Sequence, residues 1–169
     1  YGILQNQQLL DFYIGQYCVQ PPERLEPIVL DVLRLGAYQI LFMDRVPDSA
    51  AVSESVELVK NCGRARAAGM ANAVLRKIVS NKGHLPAIPA ENDETYFATK
   101  YSHPAWLVRR CLALLGREET EAFLACNNEA VETTIQYNPL RGSEEALLES
   151  LQESGVSVSP HPWLPGCAA

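Results

Sequence analysis

A glycine set inside an apolar helical stripe restricts the fold of this chain more than any other feature of its sequence. Residues 28–79 read as three helices with short joints. In the first, Val29, Val32, Leu33, Gly36, Ala37, Ile40 and Leu41 recur at three- and four-residue steps, which puts them on one face. Gly costs about 1 kcal/mol against Ala inside a helix, so Gly36 predicts the compensating close approach of a neighbouring helix. Val46-Pro47-Asp48 breaks the run, and Asp48 or Ser49 can cap the second helix. That helix offers Ala51, Val52, Val56 and Val59 to the core and stops at Gly63. The third carries Ala67, Met70, Ala71, Val74, Leu75 and Ile78 on one face. These spacings predict an all-α core.

The flanks are simpler at first. Residues 1–17 place Ile3, Leu10, Tyr13, Ile14 and Tyr17 on one helical face, and Pro21-Pro22 ends that helix. Residues 80–98 hold two prolines and no clear period, which predicts a linker, with His84 on a solvated loop. Residues 102–116 form a punctuated helix: Ser102 or His103 can cap it, Pro104 suits its first turn, and Gly116 stops it. Trp106, Leu107, Cys111, Leu114 and Leu115 are expected to face inward. A second helix follows, with Glu118, Glu119 and Glu121 near its start, favourable to the helix dipole, and Asn127-Asn128 at its end. Thr133 to Asn138 then reads as a strand. Ser143 caps a helix that turns Ala146, Leu147, Leu148 and Leu151 inward, Gly155 ends it, and Val156 to Ser159 alternates as a second strand. The fold class expected is mainly α: a helical bundle (1–79), a linker (80–98), then two helices and the opening β-α-β of a small α+β subdomain (99–169).

Charge is distributed unevenly. The net charge of −6 excludes a uniformly basic nucleic-acid binder. Yet residues 60–90 contain Lys60, Arg64, Arg66, Arg76, Lys77 and Lys82 and no acid, and residues 100–117 contain Lys100, Arg109, Arg110 and Arg117, again with no acid. The five cysteines are odd in number and never two residues apart, and the three histidines stand alone, so no metal site is expected. No signal peptide and no apolar run of about 18 residues occurs; reduced thiols, a cytoplasmic location and no membrane partner are the expectation. The chain begins at Tyr1 rather than Met and is read as a piece of something longer.

The motifs in order resemble a known family. LRLGAYQILFMDRVPDSAAVSESVEL followed by AGMANAVLR is similar to the closing helices of a NusB-like domain. YSHPAWLV, NNEAVETTIQYNPLR, SEEALLESLQESGVSV and PWLP resemble the segment that follows it in the bacterial cytosine 5-methyltransferases of small-subunit ribosomal RNA, the Sun/Fmu/RsmB type. Two positions depart from that pattern. Gln136-Tyr137-Asn138-Pro139 stands where the family usually has an Arg, which removes a phosphate contact, and Ser53 stands where Asn is common. The resemblance implies a first, NusB-like domain whose opening is missing, and a catalytic methyltransferase domain beyond this chain. A stand-alone NusB-like antitermination or RNA-binding adaptor is the alternative, but it would end near Ile78 and would not need residues 99–169.

The chemistry implied by the resemblance is attack of a cysteine thiolate on a cytosine ring, then methyl transfer from S-adenosylmethionine. That requires a glycine-rich turn for the cofactor and a cysteine beside an acid. The sequence has no G-x-G-x-x-G, and Cys167 in Pro165-Gly166-Cys167-Ala168 has no Asp nearby. No catalytic, cofactor-binding or metal residue is assigned, and this chain is expected to be inactive by itself. Binding remains. Lys60, Arg64, Arg66, Arg76, Lys77, Lys82, Arg109 and Arg110 are the candidate RNA-contacting residues, with small-subunit ribosomal RNA and the catalytic domain as partners. Lysines and arginines near helix C-termini also offset the dipole, so each has a purely structural alternative. Asn72, beside the apolar face, is expected to hydrogen-bond a neighbouring loop such as the Val46-Pro47 turn. Trp106 and Trp163 are expected as packing anchors.

Overall fold

The close approach expected at Gly36 lies at the centre of the fold. In the computed structural model, which describes residues 1–130, 133–161 and 163–168, helix α3 (Pro27–Phe42) packs against α4 (Asp48–Asn61) and α5 (Ala68–Ser80). A Cβ on Gly36 would lie 2.6 Å from Ser55 Oγ of α4 and 2.8 Å from Leu75 Cδ1 of α5. Three helices therefore meet where only hydrogen fits. Ser55 is buried beside it and is satisfied within its own helix, donating to the Ala51 carbonyl at 2.7 Å. Leu33, Ala37 and Ile40 of α3, Ala51 and Val59 of α4, and Ala71, Leu75 and Ile78 of α5 complete this core.

The first 17 residues add α1 (Gly2–Gln5) and α2 (Gln7–Tyr17). The single helix expected there is broken at Asn6 (φ −113°, ψ 20°), whose side-chain amide donates to the Gly2 carbonyl at 2.9 Å. Asparagine competes in this way with the backbone for its own hydrogen bonds. Leu10 and Ile14 of α2 are fully buried against the core.

Helix α6 (Asp93–Tyr101) occupies the latter part of the stretch read as linker. Its start was signalled by Asn92, whose side chain accepts the Thr95 N–H at 3.0 Å, with Asp93 and Glu94 in the first turn. Helix α7 (Ala105–Asn127) follows and packs on α6, which packs on α2. The break expected at Gly116 is present: its φ of +78° and ψ of −178° divide α7 into two arms. Phe97, Ala98, Val108 and Leu124 form a second, smaller core between α6 and α7.

Two expectations about this region fail. Neither Ser102 nor His103 caps α7, which has Pro104 at its N-cap. Ser102 instead ends α6 in the left-handed region (φ 54°, ψ 38°). Nor do Trp106, Leu114 and Leu115 point inward: they are 65%, 73% and 48% exposed, while Val108, Cys111, Thr120 and Leu124 are buried. One neighbouring helix covers one stripe of α7, and that stripe includes Val108, which was not among the residues expected to face inward. Trp163 is also exposed.

Residues Tyr1–Asn128 form one compact unit and Glu129–Ala169 a second. In the second, β1 (Ile135–Gln136) pairs antiparallel with β2 (Cys167–Ala168), Ile135 opposite Ala168 and Gln136 opposite Cys167. Helix α8 (Glu144–Glu153) lies between them in sequence, and Ser143 caps it by accepting the Ala146 N–H. Its Leu147, Leu148 and Leu151 are half-buried and Ala146 is exposed. Val156 to Ser159 does not form the expected second strand; the ladder closes later, at Cys167, and Pro160 contributes an isolated bridge to Ala168. The alternation at 156–159 rested on two valines, too few to hold a register. Val131 and Glu132, within the stretch preceding β1, lie outside the described residues.

Candidate RNA-contacting surface

The helical hairpin of α4 and α5 carries most of the candidate cations, and its geometry sorts them. Lys60 is in the last turn of α4, and Arg64 and Arg66 belong to the joint and its short 3-10 turn (Ala65–Ala67). Arg76 and Lys77 lie in the second half of α5, and Lys82 just beyond it. Arg66 and Arg76 are ten residues apart along helical chain, roughly 15 Å. The basic band is thus two groups at the two ends of α5, not one cluster.

Carboxylates take up part of each group. Lys60 donates to Glu57 Oε1 at 2.6 Å, Arg64 is paired with Glu26 of the loop before α3, and Lys82 reaches Asp48 Oδ1 at 3.2 Å. Arg76 Nε donates to Asn72 Oδ1 at 3.0 Å. Asn72 therefore orients an arginine on its own helix, and the expected bond to the Val46-Pro47 turn is not the one it makes. Arg66 and Lys77 have no carboxylate partner among the described residues and are exposed. Arg66, Arg76 and Lys77 are the cations of the hairpin left without a counter-charge.

Beside Arg76 lies a cleft of about 350 Å³ between α4 and α5. Its lining combines Val52, Val56 and Val79 with the polar side chains of Asp48, Asn72 and Arg76. It can take a small apolar group with a polar edge. The sequence reading assigned Val52 and Val56 wholly to the core and did not foresee it.

Arg109 and Arg110 are elsewhere. α7 packs on α6, α6 on α2, and α2 on α3 and α5, so these two arginines are separated from the hairpin by intervening helices. Arg109 is held bidentate by Glu94, at 2.8 and 2.7 Å, and this hydrogen bonding, with the arginine's charge, keeps the Glu94 carboxyl below the usual range. Arg117 is bonded to Asp93 and stands over the Phe97 ring. Lys100 lies between the Tyr96 and Tyr101 rings and donates to Glu121 at 2.7 Å. The hydrogen bond to Lys100, then that from Tyr101, depress the Glu121 carboxyl, and the bond to Glu121 raises Lys100. Arg109, Arg117 and Lys100 therefore bind α6 to α7. Arg110 alone of that stretch's basic side chains has no partner among the described residues.

A polar junction not expected from the sequence joins α1 and α2 to the α6–α7 pair. Ser102 Oγ accepts the N–H of Leu9, in the first turn of α2, at 3.1 Å, and the His103 carbonyl accepts from Gln8 Nε2 at 2.8 Å. The buried His103 ring donates from Nδ1 to the Tyr101 carbonyl at 2.7 Å and accepts at Nε2 from Asn127 at 2.8 Å. Gln5 donates to the Asn128 carbonyl, and Asn128 to that of Tyr101. Its trace in the sequence was Tyr-Ser-His-Pro, read only as a helix start. His84 is exposed, as expected for a loop residue. Cys167 is a half-buried residue of β2. No group of metal-ligating side chains occurs among the described residues, and no described helix is long and apolar enough to cross a membrane.

Comparison with known proteins finds two family matches, whose bounds differ from those of the two compact units. Residues 1–80 match the NusB family, and residues 103–168 match the Methyltr_RsmF/B-like, ferredoxin-like domain. The chain is 31% identical over 159 residues to the probable ribosomal RNA small subunit methyltransferase B of Bacillus subtilis (strain 168), covering 94% of this chain and 35% of that protein. It is 29% identical to the corresponding Synechocystis protein, covering 98% of this chain and 37% of that one. It is 28% identical to ribosomal RNA small subunit methyltransferase B of Escherichia coli O1:K1, again covering 36% of the relative. The crystal structure of PH0851 superposes with a TM-score of 0.72 at 25% identity, over 99% of this chain and 37% of that one. The chain thus spans little more than a third of the length of these relatives.

Proposed function

We propose that this chain is the NusB-like N-terminal part of a protein of the ribosomal RNA small subunit methyltransferase B family, and that it binds and positions small-subunit ribosomal RNA for a catalytic domain in the same protein. The observation that carries this reading is the pairing, in one chain, of a NusB-family domain with the RsmF/B-like domain. The second match is what disfavours a stand-alone NusB-like adaptor. In this reading methyl transfer to cytosine C5, with S-adenosylmethionine as donor, belongs to the catalytic domain, and the protein works in the cytoplasm.

Within the chain, Arg66, Arg76 and Lys77 are the residues to which RNA contact is assigned first, since no carboxylate competes for them. Lys60, Arg64 and Lys82 are secondary, because contact with phosphate would require exchange of an ion pair already formed. Phosphate contacts of this kind give affinity and orientation with little sequence preference. Filter binding to small-subunit ribosomal RNA tests the assignment. Arg66→Glu, Arg76→Glu and Lys77→Glu combined should leave the helical circular dichroism unchanged and weaken binding at low salt. Unaltered affinity would refute it.

A further inference from the structure

Helix α7 carries large apolar side chains on its solvent side: Trp106, Leu114, Leu115 and Phe123, the last 44% exposed. Trp106, Arg110 and Leu114 follow at four-residue steps and so lie along one line of the first arm. Val108 and Cys111 point the other way, into α6. Arg109 is committed to Glu94, but Arg110 has no partner among the described residues. An exposed tryptophan and a free arginine in line with an exposed leucine have the composition of an interface centre, where Trp and Arg are enriched.

The family matches add a second observation. The RsmF/B-like match begins at residue 103 and so includes the whole of α7. By packing, however, α7 belongs to the unit that ends at Asn128. The helix is therefore shared between the bundle it packs on and a domain type named for methyltransferases. In the Bacillus subtilis relative the matched segment is 35% of the protein, which leaves most of that protein to interact with it.

We infer that the Trp106–Arg110–Leu114 face of α7 is the seat of the methyltransferase domain, with Trp106 as the buried anchor and Arg110 meeting a carboxylate on that domain. The inference rests on the proposed function, because it takes the chain to serve such a domain. RNA fits this face less well, since Leu114 gains nothing from a sugar–phosphate chain.

Trp163→Phe leaves Trp106 as the one tryptophan of the 169-residue chain. That chain is titrated with the separately purified part of the Bacillus subtilis relative that lies outside the matched segment. A saturable blue shift of Trp106 fluorescence is expected. Arg110→Glu and Leu114→Lys should each weaken the titration about tenfold or more, with the denaturation midpoint unchanged. Absence of a saturable shift, or equal binding by both variants, overturns the inference. So does a shift produced by ribosomal RNA alone and abolished by salt, which makes the face an RNA surface. A shift that grows with chain concentration without added partner makes it a self-association surface and overturns the inference as well. Filter binding to ribosomal RNA is measured on the same samples. No docking by the Trp163→Phe chain while it still binds RNA refutes this inference alone, and RNA binding absent from that chain with docking intact refutes the RNA-positioning reading alone.

Discussion

Gly36 has atoms of two other helices within 3 Å of where its Cβ would stand. Gly36→Leu is therefore expected to cost roughly 1–3 kcal/mol or more by overpacking, read as a lower denaturant midpoint. Thr120 gives the opposite case. Its hydroxyl is fully buried without a hydrogen-bond partner among the described residues. A threonine in a helix ordinarily returns its hydroxyl to the carbonyl four residues earlier; here that residue is Gly116, whose ψ of −178° turns its carbonyl out of helical alignment. Thr120→Val keeps the shape and removes the unsatisfied group, so stability should rise by about 1 kcal/mol. A midpoint that falls would show the hydroxyl to be satisfied in solution. These two residues differ in how far sequence alone discloses them. A glycine in an apolar stripe has few explanations, and close packing is the leading one. Thr120 is a polar residue on an otherwise ordinary helix, and its isolation depends on a carbonyl direction that no spacing encodes. Asn72 is similar: its polarity was visible, but the choice between Arg76 and a loop is made by rotamers.

Between elements, α6 and α7 are joined by three ion pairs around a small apolar core. The Glu94 and Glu121 carboxyls are both held below their ordinary value of 4.5. Depressed carboxylates stabilise the folded form above the unfolded value and lose that contribution as pH falls through the folded values. Unfolding followed from pH 5 to pH 3 should therefore show falling stability, and Glu121→Gln should flatten the decline. If the variant and the parent chain decline in parallel, the Lys100–Glu121 pair is not what the acid breaks. The two arms of α7 were legible from Pro104, Gly116 and the apolar period, whereas α6 lay in the stretch expected to be a linker. The inward face of α7 was not, because Trp106 and Leu114 are as hydrophobic as Val108 and only the position of α6 decides among them.

For the molecule as a whole, net charge −6 works against RNA at long range, so contact must come from local cations. If Arg66, Arg76 and Lys77 each neutralise one phosphate of single-stranded RNA, log affinity should fall against log salt with a slope of about −2. A slope near zero would remove electrostatic contact as the basis of binding. The order of the two domains was legible because long motifs recur in fixed sequence. The sorting of the cations was not, because their partners Glu26 and Asp48 come from other parts of the chain. The Ser102 contact to Leu9 bears on how this molecule is made. It spans 93 residues, so the first turn of α2 is completed by a group synthesised long after it. A ribosome that has emitted only the NusB-matched residues 1–80 has released a helix whose start is still open. A chain ending at Ser80 should accordingly exchange the amide hydrogen of Leu9 faster than the full chain, while the amides of Leu33 and Leu75 stay protected. The point at which this bundle becomes finished is set by residue 102, well beyond the last residue of its own family match.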